Sequence, residues 1–86
     1  PQLSITSPVS STATTQAQIT VRGSASDPGG VAEVTWTNSA GGGGTATGTQ
    51  AWSAVVPLAP GFNTITVRAR DAAGNQAWRA VTINRR

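Results

Sequence analysis

The chain of 86 residues contains no cysteine, histidine or methionine, and its six arginines exceed its three acidic residues to leave a net charge of +3. This length suits one domain with a modest core and excludes two, while the lack of cysteine excludes a disulfide. The missing residue types also remove the commonest transition-metal ligands and the commonest general acid or base.

Composition also limits the partners. No apolar run approaches the roughly 20 residues of a membrane-spanning helix, so we expect no membrane insertion. The arginines are spread along the chain rather than clustered among aromatic residues, and we expect no nucleic-acid binding. A first residue of proline predicts that residues 1–86 are a single module cut from a longer chain or a processed product. A composition rich in Thr, Ser, Gly and Ala is typical of secreted bacterial β-modules.

Alternation of apolar and polar residues predicts β-strands in the first half of the chain. A short first strand ends at Pro8, and residues 10–15 form a loop or a ragged edge segment. A second strand leads to the turn signal at residues 27–30, and residues 31–38 form a third strand. The residues predicted to face inward are Leu3, Ile5, Ala17, Ile19, Val21, Gly23, Ala32, Val34 and Trp36.

The second half continues the same pattern. A glycine-rich loop at 41–44 precedes a short edge strand at 45–49 and firmer strands at 51–58, 62–70 and 77–84. No apolar stripe has helical spacing, so the predicted helix content is near zero. The predicted inward residues here are Trp52, Ala54, Val56, Ile65, Val67, Ala69, Val81 and Ile83.

The segment Asp71-Ala72-Ala73-Gly74-Asn75 separates the last two strands. Such a turn between two alternating runs predicts a β-hairpin, because glycine and asparagine tolerate the positive φ of tight turns. About seven short strands at this spacing predict an all-β, antiparallel two-sheet sandwich.

Five segments, at residues 23–27, 31–36, 51–58, 61–67 and 71–75, together resemble a bacterial immunoglobulin-like domain, and the chain is similar to the accessory module of the glucodextranase domain B type. The resemblance covers nearly the whole chain. It implies an immunoglobulin-like β-sandwich in which Gly23 lies where a side chain would crowd the core. It also implies a non-catalytic spacer, positioning or adhesion module of a secreted or cell-surface protein, with the neighbouring domains of the same polypeptide as its partners.

The three tryptophans divide into two groups. Trp36 and Trp52 alternate in phase with the core residues of their strands, which predicts that they pack in the core; a sugar-stacking platform would require an exposed indole face. Trp78 alternates out of phase with Val81 and Ile83, so a regular strand would place it outside. The alternatives are a bulge that turns it inward, a cover over a sheet end, or a contact with carbohydrate, a neighbouring domain or another partner.

Asp27, Asp71 and Asn75 are the candidate metal ligands. The two loops that carry them lie at the same pole of an immunoglobulin-like sandwich, and their oxygens are of the kind that Ca²⁺ prefers. The alternative, which we favour, is that each side chain caps its own turn, since two carboxylates are few for a tight site. No other cofactor is expected. Turn carboxylates without a pocket also do not make a general acid and base, so we expect no enzyme activity.

Arg68 and Arg70 are predicted to point outward beside Glu33 of the neighbouring strand, which favours a cross-strand ion pair. Together with Arg22 or Arg79, they would otherwise offer an arginine face to an acidic partner. Two rival functions follow from these residues and from the exposed strand edges. One is a carbohydrate- or protein-binding module centred on Trp78 and the arginine face, and the other is assembly of copies into fibres.

Overall fold

A computed structural model describes residues 1–86 as eight β-strands without a helix, and accordingly it contains no helix suited to crossing a membrane. The eighth strand beyond the predicted number is a three-residue element in the predicted edge segment at 10–15. The strands are β1 (Gln2–Ser7), β2 (Thr12–Thr14), β3 (Gln18–Ser26), β4 (Glu33–Asn38), β5 (Gly43–Thr45), β6 (Ala51–Pro57), β7 (Gly61–Arg70) and β8 (Gln76–Arg85).

Two sheets, with the strand orders β1-β3-β6 and β2-β8-β7-β4-β5, form the molecule. All strand pairs are antiparallel except β2 with β8, which run parallel. The chain passes from one sheet to the other five times, between β1 and β2, β2 and β3, β3 and β4, β5 and β6, and β6 and β7. This arrangement is the predicted immunoglobulin-like β-sandwich.

The chain crosses between the two sheets at both edges of the sandwich. On one side, a cis peptide bond between Ser7 and Pro8 lies where the chain leaves β1 for β2. On the other side, Thr47 bonds to Ser53 of β6 directly after β5. The predicted edge strand at 45–49 is therefore wrong in its extent, because β5 ends at Thr45 and the next residues turn toward the opposite sheet.

Alternating side chains of the two sheets fill the core, as the burial of every second residue in β6 and β7 shows. Trp36 and Trp52 are 8% and 3% exposed, which confirms them as core residues. Ala17 and Ala32, predicted to face inward, are exposed because each lies just before the first residue of its strand. The buried apolar residues are Leu3, Val21, Ala25, Val34, Trp36, Ala46, Trp52, Ala54, Val56, Leu58, Ile65, Val67, Ala69, Val81 and Ile83.

The strands define two ends of a body that measures 41 × 20 × 17 Å. The N-terminal pole holds Pro1 and the turns at 27–30 and 71–75, since β1 starts opposite the end of β3 and β7 leads directly into the second turn. The C-terminal pole holds the turn at 58–60 and the end of β8, where Arg85 lies opposite Gly61.

Candidate functional site

Trp78 lies on the outer face of the five-stranded sheet, with 60% of its surface exposed. The register between β7 and β8 is unbroken from the pair Gly61 and Arg85 to the pair Arg70 and Gln76. The alternative of a bulge that turns Trp78 inward is therefore wrong, and the regular strand places the indole outside. An exposed large aromatic side chain on a flat sheet marks this face as a candidate contact surface.

Arg68 lies directly opposite Trp78 on the neighbouring strand. The carbonyl of Arg70 accepts a 2.7 Å bond from Ala32 N–H on the β4 side, so the even-numbered residues of β7 point their backbone groups away from β8. Arg68 and Trp78 consequently form a pair without mutual backbone bonds, the kind that brings opposite Cα atoms to about 4.5 Å. Arg68 and Trp78 therefore extend from adjacent positions on the outer face.

Arg70 is paired with Glu33, as predicted. Its Nε and Nη2 atoms lie 3.3 and 3.2 Å from Oε1 of Glu33, and both side chains are about 42% exposed. An exposed pair of this kind contributes at most about 1 kcal/mol to stability. Arg68, in contrast, makes no ion pair.

Arg79 does not share the outer face with Arg68 and Arg70, although it lines the same edge depression as Trp78. It alternates in phase with the buried Val81, on the side of β8 that faces β1, and borders a cleft with Ser4 and Ser24. Its Nη1 donates a 2.7 Å hydrogen bond to the carbonyl of Trp78.

The Arg79 contact protects an open strand edge. Farther along β8, Thr82 bonds to the β2 side through its carbonyl, which accepts from Ser11 N–H at 2.8 Å. Trp78 and Ala80 point their backbone groups in the same direction, but β2 does not extend that far. A charged side chain over an unpaired edge is a device that opposes edge-to-edge pairing, so it disfavours fibre assembly through this part of β8.

Asp71 caps the turn between β7 and β8. Its Oδ1 accepts from Asn75 N–H at 2.8 Å, and its Oδ2 accepts from Nδ2 of Asn75 at 3.0 Å. The side-chain bond from Asn75 is the main cause that lowers the pKa of Asp71; partial burial opposes it, and backbone N–H bonds and the positive amino terminus add to it. These are the local bonds expected of a capping residue.

Asp27 likewise forms its bonds with groups at the N-terminal pole. Its Oδ1 accepts from Gly29 N–H at 2.7 Å, and its Oδ2 lies 2.9 Å from the amino group of Pro1. No group of three or more carboxylate, histidine or cysteine side chains lies close enough together to hold a metal ion. The contacts of Asp27 and Asp71 are thus those expected of side chains that cap their own turns.

We expect calcium to leave the stability unchanged. The carboxylate oxygens of Asp27 and Asp71 already accept protein hydrogen bonds, whereas Ca²⁺ requires six to eight oxygen ligands. The melting temperature should be the same in millimolar calcium chloride and in EDTA. A rise of several degrees with calcium that disappears in Asp27→Ala would show that these residues do form a site.

Asp71 should make the stability depend on acid pH. Because its pKa is lower in the folded domain, the folded state binds fewer protons than the unfolded chain. The stabilising contribution is complete above the ordinary aspartate pKa of about 3.9 and is lost as the pH falls through the lower folded-state pKa. The free energy of unfolding, measured with urea, should therefore fall more between about pH 5 and about pH 2 for the wild type than for Asp71→Asn. Equal losses would contradict this role.

A polar network at the C-terminal pole was not predicted. Asn63 is completely buried, and its Oδ1 accepts from Asn38 Nδ2 at 3.1 Å and from Ala59 N–H at 2.9 Å. Its Nδ2 donates to the carbonyls of Ala59 and Gly61 at 2.8 and 3.0 Å. The sequence did contain a signal for this network, because each of two strands carries an asparagine in phase with its buried apolar residues. The network holds the turn at 58–60 against the ends of β4 and β7.

The fold and these contacts define a small immunoglobulin-like β-sandwich, in which the paired polar groups serve turns and strand ends. A family model described as "Glucodextranase, domain B" matches residues 1–86, and the chain belongs to this family. No curated protein sequence is significantly similar to it.

Two solved structures show the same fold at low sequence identity. The fibronectin(III)-like modules of CbhA from Clostridium thermocellum superpose with a TM-score of 0.80 at 19% identity, over 99% of this chain and 97% of theirs. CopC from Methylosinus trichosporium OB3b superposes with a TM-score of 0.58 at 17% identity, over 98% of this chain and 95% of its own. The first likeness agrees with the immunoglobulin-like resemblance of the sequence.

Proposed function

We propose that this domain is a non-catalytic spacer of an exported bacterial protein, which sets the distance and orientation between neighbouring domains of the same polypeptide. The observation that carries the proposal is the position of the two ends of the chain. Pro1 lies at the N-terminal pole and β8 ends at the C-terminal pole of a body 41 Å long. A polypeptide that continues in both directions would enter and leave at opposite ends.

Both ends are anchored in the sheets, which supports a fixed orientation. At the C-terminal pole, Arg86 N–H donates to Thr14 at 2.8 Å and Arg85 Nη1 donates to the carbonyl of Leu58 at 2.9 Å. At the N-terminal pole, Gln2 is already paired with Ser26. Strands of this kind hold their direction, whereas a flexible linker of similar length would sample a broad range of distances.

The remaining parts of the proposal rest on chemistry and composition. Each of the three carboxylates is engaged by a turn or an ion pair, which supports a role without catalysis. A surface rich in Thr, Ser and Gly and poor in charge supports an exported protein.

Distance measurements between two reporter domains test the spacer. The domain is inserted between two folded reporters, each with one introduced labelling cysteine, and compared with a Gly/Ser linker of equal residue number. We expect one narrow distance distribution for the domain and a broad one for the linker. A distribution as broad as that of the linker would contradict a spacer, whatever the domain binds.

A second candidate function, contact with carbohydrate or a surface protein, is favoured by one observation. Trp78 exposes 60% of its surface beside Arg68, whereas the other two tryptophans are buried. A spacer has no need of an exposed indole on a sheet face.

A further inference from the structure

The outer face around Trp78 combines an apolar ring with an uncompensated positive charge. Arg68 lies opposite the indole and makes no ion pair, since Glu33 is paired with Arg70. The other two carboxylates, Asp27 and Asp71, lie in the turns of the N-terminal pole and bond there. The chain thus offers no internal anion to Arg68, and its net charge of +3 adds to the attraction for an external one.

Hydroxyl groups continue the row that begins with the indole. Thr35 lies opposite Arg68 on β4, and Thr45 lies opposite Thr35 on β5. Four adjacent strands, at roughly 4.8 Å per step, therefore present an indole, a guanidinium and two hydroxyls over about 14 Å.

The space beside the indole is open. Ala80, two residues along β8 on the same face, lies opposite Thr66, so the side chains on that side of Trp78 are short. A shallow depression at the unpaired edge of β8 is lined by Gln76, Ala77, Trp78, Arg79 and Ala80. The bond from Arg79 to the Trp78 carbonyl fixes the backbone below the ring.

We propose that this face binds an acidic polysaccharide, with Trp78 stacked on a sugar ring and Arg68 bonded to its carboxylate. An exposed indole offers a flat apolar surface to the C–H groups of a pyranose, and the guanidinium fork matches the two oxygens of a carboxylate. The hydroxyls of Thr35 and Thr45 bond to the following sugars. This inference rests on the second candidate function and specifies the charge class of its ligand.

A protein partner fits the face less well. Binding energy between proteins concentrates in aromatic or arginine anchors that fill desolvated pockets. Here Trp78 is surrounded by polar and short side chains on a flat sheet, and the next large exposed apolar residue of β7, Phe62, lies six residues from Arg68.

Polygalacturonate and highly methyl-esterified pectin test the inference, because the two share a backbone and differ in carboxylate charge. Tryptophan emission during titration reports on Trp78, since Trp36 and Trp52 are buried, and affinity electrophoresis measures retention. The variants are Trp78→Ala and Arg68→Gln, with Arg22→Gln as the control for an exposed arginine of the other sheet. Melting temperatures verify that each variant is folded.

We expect the wild type and Arg22→Gln to bind polygalacturonate, with little binding of the esterified pectin, and each of the other variants to bind at least tenfold more weakly. An equal loss in Arg22→Gln, or equal binding of poly-glutamate, would overturn the inference in favour of non-specific charge attraction. If both pectins bind equally and only Trp78→Ala weakens the binding, the inference that the ligand is acidic would be wrong, while a carbohydrate-contact function would remain. No binding to either pectin would overturn the inference and leave the spacer to be decided by the distance measurements.

Discussion

Gly23→Ala is expected to lower the free energy of unfolding by about 4 kcal/mol, a large share of the stability of a small domain. A Cβ at this position would lie 2.0 Å from the backbone oxygen of Ser4 and 2.5 Å from Cζ2 of Trp52. The first neighbour belongs to the strand that pairs with β3, and the second is a buried indole that is 3% exposed. Neither can move without separating β1 from β3 or displacing the core.

The control for this substitution is Gly74→Ala. Gly74 has a φ of +92° and open space around its Cα, so an added methyl group meets only the backbone penalty of about 1 kcal/mol. Urea unfolding followed by tryptophan fluorescence measures both variants. If Gly23→Ala lowers the free energy of unfolding no more than Gly74→Ala does, β1 and the Trp52 indole must adjust freely to the added methyl group.

Asn63→Leu is expected to lower the free energy of unfolding by about 4 kcal/mol as well. Leucine has the same number of non-hydrogen side-chain atoms, although it is bulkier, and it removes the acceptor of Asn38 Nδ2 and Ala59 N–H and the donor to two carbonyls. Each buried polar group left without a partner is destabilising by about 1–3 kcal/mol. The direction is notable, because the substitution makes the core more apolar and yet destabilises it.

Asn84→Leu is the matched control for Asn63→Leu. Asn84 lies on the outer, half-buried face of β8, so its replacement should change the free energy of unfolding by less than about 0.5 kcal/mol. Chemical denaturation of the two variants under the same conditions separates the effect of the network from that of the residue type. Similar values for both would mean that water replaces the bonds of Asn63.

The strands and most of the core were predictable from alternation alone. In β6 and β7 the predicted inward residues, such as Trp52, Val56 and Ile65, are buried, and Asn63 is buried in the same phase without having been predicted. Burial alternates with a period of two residues because each of these strands has one face against the opposite sheet. Ala17 and Ala32 kept the same phase but lie before their strands, and alternation cannot locate the residue at which the opposite sheet stops covering a strand.

The candidate site was predictable in part. Opposite phase made an outward Trp78 one of several alternatives, and the structure places it outside, opposite Arg68. The phase of Arg79 already separates it from Arg68 and Arg70, but its contact at the open strand edge required knowledge of the sheet order. Only the topology shows that β2 leaves part of β8 unpaired, where an inward-phased arginine can reach out and bond to the Trp78 carbonyl.

The sequence by itself determined the all-β class, the turn from Asp71 to Asn75 and the phase that buries Trp36 and Trp52. These are local properties, since the period of side chains along a strand and the φ preferences of a turn do not depend on distant residues. Only the tertiary structure decided that Asn38 meets Asn63, that Arg68 stays unpaired beside an exposed indole, and that the two ends of the chain lie at opposite poles. Those features depend on pairing between strands far apart in the sequence, which alternation does not encode.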